Sequence, residues 1–238
     1  MPIDSDHRGS DSPYVARVWR GHASGTGTLT SVAVSTWELV FWEYGGAVHA
    51  SVRGPETSAS AVRFAGDSAS FGITFTHGTS MPHLPVSRLV DGELRSPFSD
   101  GRVFALRGEE WPVPGFDDAE DLVERFVRAG VLTRDPLVDE VVRGGAAEVG
   151  TRSVQRRVTA ATGLTQGAIR QIDRARHAAL LLQEGVPALE VVHRLGYYDQ
   201  PHLARSLKRF IGRTATQLRR PGGEPLSLLY KREGEERF

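Results

Sequence analysis

Apolar residues fall in short alternating runs over the first half of the chain and recur at helical spacing over the second. From Val15 to about Phe104 the runs are rich in β-branched and aromatic residues and close on glycine, as in "LTSVAVSTWELVFWEYGGAVHASVRGP", "SAVRFAG", "ASFGITFTHG" and "GRVFALRG". Such runs predict strands. Between Trp37 and Tyr44 the apolar residues are nearly continuous, which predicts a strand covered on both faces. Roughly six to eight short strands with no helical stretch between them predict an antiparallel sandwich or barrel.

The period changes at Asp117. "DDAEDLVERFVRAG" predicts a helix capped by Asp117 or Asp118, with Glu120 and Asp121 in its first turn. Leu122, Val123, Phe126, Val127 and Ala129 form its apolar stripe, and Gly130 stops it. The stripe suits a cover over the open side of a barrel or a dimerisation helix. From Pro136 onward helices are predicted at about 137–144, 153–161, 166–184, 188–194, 200–210 and 215–220. Residues 1–12 are polar and predict a disordered tail. Residues 221–238 form a charged tail in which "LSLLY" is the segment suited to docking.

Charge sharpens this division. The net charge is zero, but residues 1–135 carry 12 Lys/Arg against 18 Asp/Glu, and residues 136–220 carry 14 against 7. A basic C-terminal half beside an acidic N-terminal half implies two domains, one with a polyanionic partner. Cysteine is absent, which removes disulfides, thiolate metal sites and cysteine nucleophiles together. The polar start does not read as a signal peptide, and no run approaches the ~18–20 apolar residues of a membrane span. The expected location is the cytoplasm, with no membrane partner.

Two segments share one plan. In 187–210, "PALEVVHRL" gives a short helix, Gly196 permits a tight turn, and Asp199 caps a second helix with Pro201 in its first turn. That helix turns Leu203, Leu207 and Phe210 inward and His202, Arg205, Lys208 and Arg209 outward. In 137–162, "LVDEVVRGG" precedes a helix capped by Gly150 or Thr151, with Val154, Val158 and Ala161 inward and Arg152, Gln155, Arg156 and Arg157 outward. A short helix, a turn and a basic second helix make a helix-turn-helix. Between the two lies "TQGAIRQIDRARHAALLLQEG", a connector helix of about 18 residues and ~27 Å. On such a bar two recognition helices suit successive major grooves, ~34 Å apart.

On "RSVQRRVTAATGLT", "IRQIDRARHAALLL" and "LGYYDQPHLARSLKRFIGRTATQLRR", residues 136–220 resemble the AraC/XylS transcriptional regulators. The resemblance implies two helix-turn-helix modules joined by a long helix, reading promoter DNA. It assigns base contacts to Arg152, Gln155 and Arg156 of the first module and to Gln200, Pro201, His202 and Arg205 of the second. The chemistry agrees: Arg can hold guanine O6/N7 with two bonds, and Gln can pair with adenine N6/N7. Arg157, Lys208 and Arg209 suit phosphates. The chain departs from the family's usual pattern at Leu203 and Leu207, where phenylalanine is common, and at "TATQLR" (214–219), where a Ser/Thr-Pro-x-x-Tyr-Arg ending is usual.

The N-terminal half, through "FGITFTHGTSMPHLPVSRL", resembles cupin-like sensor domains found ahead of such modules. The implied organisation is a disordered tail (1–12), a cupin-like β sensor domain (13–116), a helix and linker (117–135), an AraC-type DNA-binding domain (136–220) and a charged tail (221–238). The fold class is therefore α+β. A small-molecule effector, RNA polymerase and a second copy of the chain are the further partners this implies. Trp37, Trp42 and Phe75 are the aromatic residues placed at an effector pocket, since such pockets are largely apolar and aromatic.

Enzymatic readings fare worse. "HGTSMPH" lacks both the histidine spacing and the following glutamate of a cupin metal site, so His22, His49, His77 and His83 suit ordinary polar roles. No catalytic triad or carboxylate pair stands out, and "SGTGT" lacks the lysine of a phosphate loop. The expectation is a transcription regulator that is not an enzyme and needs no cofactor. The rivals are a ligand-independent oligomerising DNA-binding protein and a cupin-type enzyme with an accessory DNA-binding domain.

Overall fold

The computed structural model describes residues 3–64, 68–97, 99–145, 150–220 and 226–227. In chain order the strands are β1 (Ile3–Arg8), β2 (Val15–Ala23), β3 (Gly27–Ser31), β4 (Glu38–Tyr44), β5 (Ala47–Arg53), β6 (Ser60–Phe64), β7 (Ser68–Phe75), β8 (Thr79–Ser80), β9 (Glu93–Arg95), β10 (Val103–Leu106), β11 (Glu109–Pro112), β12 (Thr133–Arg134) and β13 (Leu226–Ser227). The helices are α1 (Ala119–Arg128), α2 (Pro136–Val142), α3 (Thr151–Thr162), α4 (Gln166–Gln183), α5 (Ala188–Arg194), α6 (Gln200–Phe210) and α7 (Ala215–Leu218), with a 3-10 turn at Val86–Arg88. The architecture is α+β, sheet-rich in the N-terminal region and helical in the C-terminal region.

The chain divides into two compact units that do not follow chain order. One takes in the chain to Gly25, then Thr36–Pro55, then on to Gln166. The other takes in Thr26–Ser35, Glu56–Phe64 and the chain from Gly167.

The first unit is built on a six-stranded antiparallel sheet ordered β1-β2-β7-β4-β5-β9. Its central strand β4 is covered on both faces from Glu38 to Phe41, as its continuous apolar run requires. Leu39, Phe41, Ile73 and Phe75 share one face with Val18 and Val52, and α1 lays Leu122, Val123 and Phe126 into the same core. Phe126 meets Trp111 edge-on at 4.7 Å, and Phe41 meets Phe104 edge-on at 5.1 Å. Leu122, Val123 and Phe126 of the α1 stripe are thus spent inside its own unit, with Val127 packed against them, and Ala129 is exposed at the C-cap.

Of the sandwich or barrel expected, a closed barrel does not form among the described residues. The edge strands β1 and β9 do not pair with each other, so the sheet stays open. Strand β9 has three residues, all exposed, and β1 is polar almost throughout, which is how natural edges discourage further pairing. Strands β3 and β6, which lie in sequence among the sheet strands, pair with each other in the second unit instead.

The N-terminal tail is also more ordered than its composition implies. Residues 3–8 pair in continuous register with β2, from Ile3 opposite Ala23 to Arg8 opposite Val18. Strand pairing uses the backbone and does not require apolar side chains. Arg8 then anchors the strand: Nη1 and Nη2 donate to the Glu120 carboxylate at 2.7 and 2.6 Å, and Nε and Nη2 donate to the Phe116 carbonyl.

In the second unit β3 and β6 form an antiparallel ribbon, and β13 adds to β3 in parallel through Leu226 opposite Thr30 and Ser227 opposite Ser31. The start of "LSLLY" is therefore docked; the rest of that segment and of the C-terminal tail lie outside the described residues. Helix α4 buries Ile169, Ile172, Ala175, Ala178, Ala179 and Leu182 at helical spacing. No described helix is long and apolar enough to cross a membrane.

Candidate nucleic-acid interface

The first helix pair, α2 and α3, belongs to the first unit. Asp135 caps α2 by accepting from the Leu137 amide at 3.2 Å, and Pro136 occupies the first turn, where its missing N–H costs nothing. Asp139 is buried; it accepts from the Gly78 amide at 2.9 Å and pairs with Arg134 at 2.9 Å. These contacts fix α2 to the loop before β8. Helix α3 starts at Gly150 and buries Val154, Val158 and Ala161, the three positions expected. Arg152, Gln155 and Arg156 are all exposed on its outer side.

Arg157 is exposed too, but it is occupied. Its Nε and Nη2 donate to the two oxygens of Asp135, and this pairing holds the guanidinium pKa above its ordinary value. The structure thus pairs the exposed Arg157 with the residue that caps the preceding helix. Residues 146–149, between α2 and α3, lie outside the described residues.

The second pair, α5 and α6, belongs to the second unit. Gly196 takes φ +64°, the left-handed conformation that the turn between the helices needs and that glycine adopts without steric cost. Asp199 caps α6, accepting from the His202 amide at 2.7 Å. Leu203, Leu207 and Phe210 are buried, and Gln200, Pro201, Arg205, Lys208 and Arg209 are exposed. His202 is half-buried: its ring stands edge-on to Tyr197 at 5.2 Å, and its Nδ1 faces the Tyr198 amide at 3.4 Å.

The turn is tied to the connector helix. Arg174 of α4 lies over the Tyr197 ring at 4.4 Å and reaches the Gly196 carbonyl at 3.4 Å. Burial pushes the Tyr197 hydroxyl pKa up, and the hydroxyl sits 3.2 Å from Ser206 Oγ. Beyond α6 the departure at 214–219 still folds as a helix. Thr214 and Gln217 form a reciprocal cap, with Gln217 N donating to Thr214 Oγ1 at 3.2 Å and Thr214 N donating to Gln217 Oε1 at 2.8 Å.

Of the three aromatic residues expected at an effector pocket, the structure brings Trp37 and Phe75 together and leaves Trp42 apart. Trp37 stacks on Phe75 at 3.9 Å inside the core and donates its Nε1–H to the Thr79 carbonyl. Trp42 lies on the opposite face of β4, half-buried, stacked on His49 at 5.4 Å with Arg53 and Arg95 near its ring. The period of two along β4 separates them: Leu39 and Phe41 face the core, so Trp42 faces away. Among the described residues no three His, Asp or Glu side chains are grouped to hold a metal ion.

Sequence reasoning missed three holds on these helices. The Asp135–Pro136 dipeptide is a helix-start signal and could have been found. The Arg174–Tyr197 contact spans residues whose proximity no local pattern encodes. The third hold is made by the β3–β6 ribbon at the end of α6, again between residues far apart in sequence.

Residues 145–221, less than half of the chain, match a family model described as a helix-turn-helix domain. The matched segment contains both exposed basic helices, and it supports a DNA-binding regulator of the AraC type. No curated relative and no solved structure matches the chain.

Proposed function

We propose that the chain is a sequence-selective transcription regulator whose residues 136–220 bind double-stranded promoter DNA and whose sheet-rich region governs that binding. The observation carrying this reading is the pair of capped helices α3 and α6, each buried on one side by its apolar residues and exposing arginine and glutamine on the other. Arg152, Gln155 and Arg156, then Gln200, Pro201, His202 and Arg205, are the groups assigned to base edges; Lys208 and Arg209 are assigned to phosphates, and Arg157 to positioning its module. Binding of this kind weakens steeply as salt rises. Gel shifts on DNA upstream of the gene at two salt concentrations test it; absence of any sequence preference at low salt rejects it.

Control by a small molecule is the finer part of the proposal. Trp42 has two cations near its ring, Arg53 and Arg95 at 5.8 and 5.7 Å, and Glu93 pairs with both of those arginines. Arg95 and Arg53 lower the Glu93 pKa despite its partial burial. A planar, anionic metabolite suits that surface. A thermal-shift screen of aromatic carboxylates, repeated on Trp42→Ala, tests it; a stabilising ligand whose effect survives the substitution places the site elsewhere.

A further inference from the structure

We infer that the β3–β6 ribbon, although it comes from the N-terminal half of the chain, is a positioning element of the second reading helix α6. The last four carbonyls of an α-helix have no partner within the helix. In α6 two of these are met by ribbon amides: Ala33 N donates to the Phe210 carbonyl and Ala59 N donates to the Arg209 carbonyl, each at 2.8 Å. One donor follows β3 and the other precedes β6, so the two strands grip the helix end from both sides of the ribbon.

The ribbon is closed on itself at that end. Val34 and Glu56 exchange backbone hydrogen bonds at 3.0 and 2.9 Å, and Ser31 Oγ donates to Glu56 Oε2 at 2.7 Å. It is also held to the connector helix: Arg176 Nη1 donates to the Ala33 carbonyl at 3.0 Å, and Ser35 Oγ donates to Asp173 Oδ1 at 3.2 Å. Gly212, just past α6, has φ +72°, and a β-carbon there would stand 3.0 Å from Thr30 Cγ2 and 3.2 Å from Ala59 Cβ. Backbone, side-chain and steric fit therefore converge on one contact. Val32 and Ala33 are fully covered, which sets this docking apart from a loose surface touch.

The consequence is that the DNA-reading unit is not contained in the helical segment alone. Strands β3 and β6 complete it, and the direction in which α6 presents Gln200, His202 and Arg205 depends on them. This inference rests on the DNA-binding reading of α6, so its test separates the two.

The test uses the full chain carrying Ala59→Pro with Arg176→Gln, which removes one amide cap and one side-chain hold. Its footprint on the selected DNA is expected to lose the bases that Arg205→Ala loses and keep those that Arg156→Ala loses, with affinity down at least tenfold. Hydrogen exchange of the amides at 207–211 is expected to quicken at least tenfold, with α3 unchanged. Because the chain has no cysteine, Ser35→Cys with Asp173→Cys can be added to this variant and bridged by a short thiol cross-linker. Bridging is expected to restore both the footprint and the protection. A footprint and exchange pattern like those of the unsubstituted chain, or failure of the bridge to restore them, overturns the inference. If the unsubstituted chain selects no DNA, the DNA-binding reading fails by itself, and exchange in α6 still decides whether the ribbon holds the helix.

Discussion

Arg157 and Asp135 form a two-point ion pair, with Nε and Nη2 each 2.6 Å from a carboxylate oxygen. The same carboxylate caps α2, so one aspartate fixes the start of the first helix and braces the second. A side chain spent in this way contributes geometry more than phosphate affinity. Arg157→Ala is expected to lower the melting temperature and leave the slope of log affinity against log salt unchanged. Loss of a phosphate contact would instead reduce that slope by about 1. Asp135→Ala is expected to cost roughly 1 kcal/mol through the lost cap alone, read by denaturant unfolding.

Arg156 and Arg205 occupy equivalent outer positions on α3 and α6, and both are exposed. Each is expected to read a separate base. Arg156→Ala and Arg205→Ala should each cost about 1–3 kcal/mol on the preferred site and relax selection at different positions. Selection of binding sites from a random library by each variant checks this. Uniform weakening on all sequences would reassign both arginines to the phosphate backbone.

The helical half was legible because its signals are local. Asp199, Pro201 and Gly196 mark a turn and a helix start, and the predicted spans of α5 and α6 match the observed ones. The inward positions Val154, Val158, Leu203, Leu207 and Phe210 follow from the helical period. Between Val15 and Phe104 strands were legible as strands, but not their partners, and β1 was not legible at all. The short strand-like runs at 27–31 and 60–64 look like those that build the main sheet, yet they pair with each other. Pairing is decided by contacts distant in sequence, which periodicity does not encode. The same limit hid the Ala33 and Ala59 caps, since an alanine amide carries no compositional signal. It also hid which aromatic residues share a face: Trp37 and Trp42 are close in sequence, but only Trp37 packs into the core.

Glu120 is a carboxylate held low. Hydrogen bonds from Arg8 bring its pKa from 4.5 to about 2, against a smaller opposing effect of burial. A depressed folded-state value means that the contribution is fully present above the ordinary pKa and is lost as pH falls from about 4.5 toward about 2. The pair is partly exposed, so solvent screening limits its size. Strand β1 is therefore expected to loosen first on acidification, seen as faster hydrogen exchange at residues 3–8. Arg8→Ala should show that faster exchange already at pH 7 and lose most of its further change down to pH 3. Equal acid sensitivity in both proteins would assign the effect to another carboxylate.

Glu38 is perturbed in the opposite direction. Burial raises its pKa above 4.5, opposed by the charge of Arg53, the hydrogen bond from Trp19, the charge of Arg17 and the hydroxyl of Thr74. Trp19 Nε1 donates to Glu38 Oε2 at 3.0 Å, a bond that a neutral carbonyl oxygen can also accept. With a folded-state value above the unfolded one, the folded chain holds a proton that the unfolded chain releases. Stability from this group is therefore full below about pH 4.5 and falls as pH rises through the elevated value. Glu38→Gln keeps the acceptor for Trp19 and removes the ionisation. It is expected to be at least as stable as the unsubstituted chain at pH 7, with a flatter dependence of melting temperature on pH between 4.5 and 8. A loss of stability at pH 7 that disappears at pH 4 would show that the ionised carboxylate and Arg53 support each other in the folded chain.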